Sequence, residues 1–318
     1  MRWLFVCALA WVALACSSEA PEPRTRESVP EGPLVVFATS YPLAFFAERV
    51  GGDAIEVIFS VPPGVDPAHW NADAETIARA QSADLLLRHG AGDPAWLELA
   101  SLHGDRVVDT TAHVRDRLLM QQAALHQHGP EGEHSHRSWA GTTWLDPRLA
   151  AAQTEALAAA LIQRRPASED AFRANLAVLL SELETLDEEL AQTAEALGDT
   201  PILYSHPVYD YLQARYELNG RSLVWEPGEA PTERQWRDLR EILQEHPAPW
   251  MLWEADPLPE TAERLAALGI ESRVYAPLAN RPEEGDWLGV MRANREALSA
   301  LARSLTRHTT DAAFSRGE

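Results

Sequence analysis

From residue 34 onward, short apolar runs alternate with longer segments in which apolar residues recur every three or four positions. The short runs predict buried strands, and the longer periodic segments predict amphipathic helices. In the first part of the chain the strand-like runs cover residues 34–39, 54–60, 84–89 and 106–111, and the helical segments cover residues 43–50, 72–81 and 94–100. This order is typical of βαβ units, in which helices join parallel strands.

A long helical region then interrupts the alternation. Asp146 followed by Pro147 supplies an N-cap and a favoured first helical position, so a helix is predicted to begin there and to run to Ile162. A second helix is predicted over residues 168–197, where apolar residues recur at spacings of three and four and no Gly or Pro intervenes. At 1.5 Å per residue it would be about 45 Å long, which suits a rigid strut.

The alternation of strands and helices resumes after this strut. Strand-like runs cover residues 201–205, 222–225, 250–254 and 272–276, and helical segments cover residues 207–217, 231–245, 257–268 and 285–306. We therefore predict an α/β fold of two βα lobes, each with a mainly parallel sheet, joined by a long rigid helix. Lobes of this kind commonly hold a ligand in the cleft between them, at the carboxyl ends of the strands.

The beginning of the chain has the pattern of an export signal. Arg2 is followed by twelve residues without an ionised side chain and then by Ala15 and Cys16. The segment "VALACSS" resembles a bacterial lipobox, whose cysteine becomes lipidated, and an ordinary secretory signal cut near Ser17 is the alternative. Both interpretations place the protein outside the cytoplasm, in the periplasm or on the cell surface.

These features predict how the chain is divided. Residues 1–15 form a lipoprotein signal peptide, 16–32 a disordered tether, 33–165 the first lobe with a His-rich loop at 126–136, 166–198 the connecting helix, 199–308 the second lobe and 309–318 a tail. The tether is rich in Pro, Ser and Glu and lacks the periodic apolar residues that packing requires. It would hold the folded body away from a membrane surface.

The charge and the cysteines of the chain restrict its partners. With 27 basic and 48 acidic residues the formal net charge is −21, whereas nucleic-acid binding needs clustered cations. The same acidity disfavours contact of the folded body with an anionic membrane, so attachment is expected through the N-terminal lipid alone. Once the signal is removed, Cys16 is the remaining thiol, so neither an internal disulfide nor thiolate ligands are expected. We expect a monomer.

Seven segments, in this order along the chain, resemble a known family. They are residues 35–53, 61–70, 83–98, 142–150, 205–220, 226–239 and 284–298, and they include "VPPGVDPAHW", "TTWLDPRLA" and "SHPVYDYLQARYELNG". The family they resemble comprises the extracytoplasmic solute-binding proteins of zinc and manganese ABC importers, in which a long helix joins two lobes. The resemblance implies capture of a divalent transition metal and its delivery to a cognate ABC permease.

The same resemblance implies which positions hold the metal, and most of them lack a donor here. The family's four ligand positions fall on Ala68, Thr142, His206 and Ala276. Of these, His206 alone is a metal ligand as it stands. His69 lies one residue beyond its expected place and would be recruited by a shift of its loop. Because a zinc site needs three or four N, O or S donors, other residues must contribute.

A histidine-rich stretch, "HQHGPEGEHSHRSW", offers such donors shortly before Thr142. His134 and His136 alternate, so an extended backbone would point both imidazoles to one side, and we expect them to complete the inner site. His126 and His128 are separated from that pair by Gly129 and Pro130, and are expected to form an accessory element that collects metal weakly.

A carboxylate is expected to complete the set of donors. Glu254 ends a strand-like run, so it would project toward the cleft and either bind the metal or orient a histidine. Glu226 is interpreted as a loop carboxylate rather than a ligand. The remaining histidines, which fit no ligand position, are expected in solvated or core roles; they are His89, His103, His113, His246 and His308.

Imidazole donors and the lost carboxylate position at Ala276 favour zinc over manganese as the metal. The alternative is a degenerate relative that keeps the fold without a specific site and acts as a low-affinity metal reservoir or a partner-binding protein. An extracytoplasmic zinc hydrolase is a third class. The sequence contains no H-E-x-x-H, G-x-S-x-G or P-loop motif, so we expect that the protein is not an enzyme.

Overall fold

The computed structural model describes residues 32–120 and 139–314, with side chains described as far as residue 304. The predicted signal peptide, Cys16 and all but the last residue of the tether lie outside the described residues. The loop histidines lie outside them as well; these are His126, His128, His134 and His136. In the part of the chain that is described, no helix is both long enough and apolar enough to cross a membrane.

The first lobe is built on a four-stranded parallel sheet in the order β2-β1-β3-β4. Its strands are β1 (Leu34–Ala38), β2 (Ile55–Ile58), β3 (Leu85–Arg88) and β4 (Val107–Asp109). Its helices are α1 (Tyr41–Gly51), α2 (Ala74–Ser82), α3 (Trp96–Leu99) and α4 (Pro147–Arg164). Asp146 caps α4 as predicted, because its side chain accepts a hydrogen bond from Arg148 N at 2.8 Å.

The connecting helix α5 (Glu169–Leu197) contains 29 residues. Its apolar residues recur every three or four positions and are buried against α1, α4 and α9. The buried positions are Phe172, Leu179, Leu183, Leu186, Leu190 and Leu197. At 1.5 Å per residue the helix is about 43 Å long, close to the predicted length.

The second lobe repeats the arrangement with a four-stranded parallel sheet in the order β6-β5-β7-β8. Its strands are β5 (Ile202–Tyr204), β6 (Gly220–Ser222), β7 (Trp250–Trp253) and β8 (Glu271–Val274). Its helices are α6 (Asp210–Tyr216), α7 (Glu233–Glu245), α8 (Pro259–Ala266) and α9 (Trp287–Phe314). The predicted fold of two parallel βα lobes joined by a long helix is confirmed.

Strand β6 begins earlier than the pattern of apolar residues predicts. The ring of Tyr204 lies 2.2 Å from the place that a Cβ on Gly220 would occupy, so the first residue of β6 has to be glycine. The predicted segment is nevertheless extended, because Leu223 N and Trp225 N donate hydrogen bonds of 2.8 Å to Tyr204 O and Ser205 O. The apolar run therefore marks the end of this strand rather than its centre.

The two lobes also touch directly across the cleft. Trp144 Nε1 in the first lobe donates to Pro277 O at 2.6 Å, and the ring of Phe46 lies 5.1 Å from that of Trp287. One continuous apolar cluster includes residues of both sheets and of α5. The lobes are thus held together by direct packing as well as by the connecting helix.

Asp187 joins α5 to both lobes through polar contacts. Its carboxylate accepts hydrogen bonds from Arg148 Nε on α4 at 3.0 Å, and from Arg215 Nη2 and the Tyr216 hydroxyl on α6 at 2.6 and 3.0 Å. The residue is only 8% exposed. Its negative charge is therefore compensated inside the protein, at the junction of three elements.

Candidate metal centre

Neighbouring strands of the second sheet bring His206 and Glu254 together. His206 follows β5 by two residues, Glu254 follows β7 directly, and the two strands are parallel neighbours. Their carboxyl ends consequently lie at the same edge of the sheet. Glu226 joins them because the hydrogen bond from Trp225 N to Ser205 O continues the pairing with β5 to the edge.

Each ring nitrogen of His206 faces a different carboxylate. Nε2 lies 3.5 Å from Glu226 Oε1, and Nδ1 lies 3.5 Å from Glu254 Oε1. The His206 and Glu254 side chains are 23% and 27% exposed, whereas that of Glu226 is 53% exposed. A metal ion on the Nε2 side would have Glu226 as a second donor. Glu254 is then placed to hold Nδ1–H, as second-layer carboxylates hold metal-binding histidines in other proteins.

Glu226 was not identified as a candidate donor from the sequence. A signal for it exists, since Glu226 follows the apolar run at 222–225 in the same way that Glu254 follows the run at 250–253. In both places a carboxylate comes directly after a strand-like segment. Applied consistently, this rule would have placed both side chains at one edge of the sheet.

The centre is electrostatically poised for a cation. Burial, together with the negative charges of Glu226 and Asp66, raises the pKa of Glu254 to about 7. Asp66 belongs to the first lobe, in the connection between β2 and α2. The negative charges around His206 therefore come from both sides of the cleft, and a bound cation would relieve their mutual repulsion.

His69 lies on the same first-lobe turn as Asp66 and is largely exposed to solvent. Its imidazole is 86% exposed, and its Nε2 is 3.9 Å from Asp66 Oδ2. Backbone hydrogen bonding places the two residues close together, since His69 N donates to Asp66 O at 3.2 Å. Within residues 32–120 and 139–314, no three His, Cys, Asp or Glu side chains already form a group that could hold a metal ion. A complete site therefore needs a movement of this turn or donors from elsewhere.

Two of the positions at which the resemblance implies a ligand make structural contacts. Thr142 Oγ1 donates to Val208 O at 2.6 Å, two residues beyond His206. Ala276 is held by the amide of Asn294, which accepts from Ala276 N at 3.0 Å and donates to Ala276 O at 2.8 Å. Thr142 thus fixes the segment that carries His206, although it supplies no imidazole.

The ends of the His-rich segment meet close to this centre. Met120 and Trp139 form an antiparallel bridge, and they flank the undescribed residues 121–138. The Tyr211 hydroxyl on α6 accepts a hydrogen bond from Leu119 N at 3.1 Å and donates one to Ala140 O at 3.2 Å. Since α6 begins four residues after His206, the segment enters and leaves beside the cleft.

Two other histidines have core roles in the described structure. His89 is 3% exposed, its Nε2 lies 2.6 Å from Ser40 Oγ, and its ring lies 4.7 Å from that of Trp144. His246 is 5% exposed, with Nε2 3.1 Å from Ile202 O. Buried imidazoles satisfied in this way are structural groups rather than donors for a metal in the cleft.

Known proteins resemble this chain over most of its length. A model of the family described as "Zinc-uptake complex component A periplasmic" (ZnuA) matches residues 36–301. The zinc-binding lipoprotein AdcA of Streptococcus pneumoniae (strain ATCC BAA-255 / R6) is 24% identical over 305 residues, which cover 92% of this chain and 58% of AdcA. The metal ABC transporter substrate-binding lipoprotein ScbA of Streptococcus cristatus is 25% identical over 319 residues, which cover 94% of this chain and 97% of ScbA.

The architecture also matches a solved structure. The crystal structure of the metal-dependent lipoprotein YcdH from Bacillus subtilis aligns with a TM-score of 0.72 at 21% identity, and the alignment covers 84% of this chain and 98% of YcdH. At this level of identity the likeness shows the two-lobed fold. The chain spans 58% of the length of AdcA. The family model, by contrast, extends from β1 into α9, and the chain therefore belongs to the ZnuA family of periplasmic zinc-uptake components.

Proposed function

We propose that this protein captures a divalent transition metal, with zinc as the preferred cargo, outside the cytoplasmic membrane and delivers it to a cognate ABC permease. The observation that carries the proposal is the position of His206, which faces the cleft with a carboxylate beside each ring nitrogen. The family consists of zinc-uptake components rather than enzymes, in agreement with the expected lack of catalysis. Relatives named as zinc-binding and as metal-transporter lipoproteins support the same function.

The donors divide into a core and a set recruited around it. His206 and Glu226 bind the metal, while Glu254 orients the imidazole of His206 or binds directly. His134 and His136 supply the further imidazoles, supported by the position at which their segment joins the structure beside α6. His69 approaches from the first-lobe turn. His126 and His128 remain an accessory element that collects metal for the inner site.

The same proposal includes how the protein is held at the membrane. Cys16 carries a lipid that anchors the chain, and the acidic body stays clear of the membrane surface as a monomer. The relatives named as lipoproteins support an N-terminal anchor. Imidazole donors favour zinc, although the carboxylates around His206 would also accept manganese.

Replacing His206 tests the site directly. We expect the protein to bind one Zn²⁺ tightly, and His206→Ala to weaken that site about 100-fold or more, because an imidazole donor to zinc is lost. Calorimetric titration against a competing chelator measures the change. His103→Ala serves as the matched control. It removes an exposed histidine that lies between α3 and β4 and is not a candidate donor.

Paired replacements in the His-rich segment test whether the protein is a metal carrier or a low-affinity metal reservoir. For the carrier, changing His134 and His136 together weakens the tight site, while changing His126 and His128 together removes only weak binding. A reservoir would show several weak sites that are indifferent to His206→Ala and vanish when residues 126–136 are deleted. The lack of a preformed three-donor group among the described residues is the observation that favours this rival.

The two glutamates are expected to differ in their effects on zinc affinity. Glu254→Gln keeps an acceptor beside Nδ1 but loses its charge, and should weaken binding about 10-fold, at the low end of the range for orienting carboxylates. Glu226→Gln removes a donor and should weaken binding about 100-fold. Glu229→Gln, an exposed change in the same loop, is the control. Equal affinities for the Glu226 and Glu229 variants would exclude Glu226 as a ligand.

A further inference from the structure

The loop that follows β8 crosses the cleft and holds a turn of the first lobe. Asn280 Nδ2 donates hydrogen bonds to Pro62 O at 2.6 Å and to Val65 O at 2.7 Å. Its Oδ1 accepts a hydrogen bond from Arg281 N at 2.6 Å, which fixes the orientation of the amide. Both amide hydrogens are thereby directed to carbonyls of one short turn, more than 200 residues away in sequence.

The turn held by Asn280 carries His69, the first lobe's candidate donor, and Asp66, whose charge acts on Glu254. Asp66 follows Val65 directly. Its side chain stabilises the turn by accepting a hydrogen bond from Ala68 N at 2.9 Å. His69 is tied to the same turn through its backbone bond to Asp66 O at 3.2 Å. A shift of the Val65 carbonyl therefore moves both the Asp66 carboxylate and the His69 imidazole.

The amide of Asn280 is presented from a well-anchored loop. Tyr41 N, at the start of α1, donates to Ala279 O at 3.0 Å, and Trp144 Nε1 donates to Pro277 O at 2.6 Å. Leu278 adopts a φ of 60°, a left-handed conformation that is uncommon for leucine. Such a conformation persists only where the surrounding contacts determine it, so the loop has a defined path across the cleft.

We propose that Asn280 is a positioning residue for metal capture, which keeps the turn carrying Asp66 and His69 beside the cleft, so that a local movement of the turn brings its side chains to a metal bound at His206 and Glu254. This inference rests on the proposed function, since it concerns the same cleft. Asn280 lies four residues beyond Ala276, a position at which the resemblance implies a ligand. The loop thus takes an indirect part in the site by holding residues of the opposite lobe.

The electrostatics of the cleft support this assignment. The charge of Asp66 reaches Glu254, because it contributes, after burial and Glu226, to raising the pKa of that carboxyl. A released turn would let Asp66, whose side chain is 52% exposed, move out into water. The attraction that the first lobe exerts on an incoming cation would then be screened.

The first arm of the test is independent of metal. In the metal-free protein, hydrogen exchange at the amides of Val65 and His69 should be about tenfold faster in Asn280→Ala, because the loss of two hydrogen bonds makes local opening easier. Asn280→Asp keeps the size of the side chain and its acceptor oxygen but removes both donors, and should behave in the same way. Arg281→Ala is the matched control, since it removes a contact between the same loop and Glu48 on α1, at 3.1 Å, and leaves the turn untouched.

The second arm measures zinc affinity in two backgrounds. Asn280→Ala should weaken the tight site about tenfold in the parent protein, and by less than about twofold when Asp66 and His69 have both been changed to alanine. Arg281→Ala should leave the affinity unchanged in both. A weakening of equal size in both backgrounds would reduce Asn280 to a general structural role and overturn the inference.

Two further outcomes would overturn it for different reasons. Unchanged exchange at Val65 and His69 would mean that Asn280 does not hold the turn. Faster exchange with unaltered zinc affinity would mean that the position of the turn does not matter for capture. Failure of the proposed function has its own signature: a parent protein whose zinc binding is indifferent to His206→Ala, whatever the exchange experiment shows.

Discussion

Asp187→Ala is expected to lower the free energy of unfolding by about 3–5 kcal/mol, the range for removing one partner of a buried ion pair. Burial alone would raise the pKa of Asp187, but hydrogen bonds from Arg215, Arg148 and Tyr216 lower it below its usual range. The carboxylate is therefore more stable as an anion in the folded protein than in water. Removing it leaves the Arg215 guanidinium, whose side chain is 19% exposed, without its principal partner.

Chemical denaturation of the metal-free protein at neutral pH measures this loss. Arg173→Ala is the control on the same helix, because it breaks an exposed pair with Glu169 and should cost no more than about 0.5 kcal/mol. Asp187→Asn should fall between the two, since the amide can still accept one hydrogen bond. If Asp187→Ala and Arg173→Ala have equal effects, the contacts of Asp187 do not stabilise the fold.

Asp187→Ala should weaken the contacts at the cleft as well as lower the free energy of unfolding. Arg148 belongs to α4 in the first lobe, Arg215 and Tyr216 belong to α6 in the second lobe, and Asp187 belongs to the connecting helix. The helix α6 also carries Tyr211, whose hydroxyl is hydrogen-bonded to the backbone of Leu119 and Ala140. A fold weakened at Asp187 would consequently open first where the two lobes meet.

Most of the architecture could be predicted because it follows from local patterns. The strands β1 and β3 lie inside the first sheet and read as continuous apolar runs, and α5 shows its buried face every three or four residues. The predicted position of β6 was wrong, because the start of this strand depends on the contact of Gly220 with the Tyr204 ring. No pattern within residues 218–225 contains that information, since Tyr204 comes from another strand.

The candidate site likewise contains residues that could be identified from the sequence and residues that could not. Glu254 was identified because it follows a strand-like run, which is a local signal, whereas His206 was identified through the family resemblance. Glu226 depends on the register of β6 against β5, and Asp66 and Asn280 depend on how the lobes face each other. At Thr142 the sequence shows only that the residue has no imidazole. Its structural role, the hydrogen bond to Val208 O, becomes visible only in the structure.

Acid is expected to destabilise the protein through His89 in particular. Burial lowers the pKa of His89 from 6.5 to about 3. The unfolded chain therefore binds more protons than the folded protein between these two values, so stability is fully present above pH 6.5 and falls as the pH is lowered toward 3. The slope is about 1.4 kcal/mol per pH unit, which amounts to roughly 5 kcal/mol over the whole interval.

The hydrogen bonds around His89 explain why its protonation is costly. Gln153 Oε1 accepts from Thr143 Oγ1 at 3.1 Å, so Gln153 Nε2 is directed to donate to His89 Nδ1 at 2.8 Å and to Thr110 Oγ1 at 3.0 Å. His89 Nδ1 is then an acceptor, and Nε2–H donates to Ser40 Oγ. A second proton would have to be placed on Nδ1, directly against the amide hydrogens of Gln153.

The prediction is tested by the difference between two pH profiles. Unfolding of the parent protein and of His89→Gln is followed from pH 8 to pH 4, so that contributions from the many carboxylates cancel in the difference. The variant should be less stable at pH 8 but should lose less stability on acidification, by about 1.4 kcal/mol per unit below pH 6.5. His103→Gln, which changes an exposed imidazole, should run parallel to the parent. Parallel profiles for His89→Gln would instead mean that His89 is protonated at no extra cost, and that its buried bonds to Ser40 and Gln153 rearrange freely to accommodate the charge.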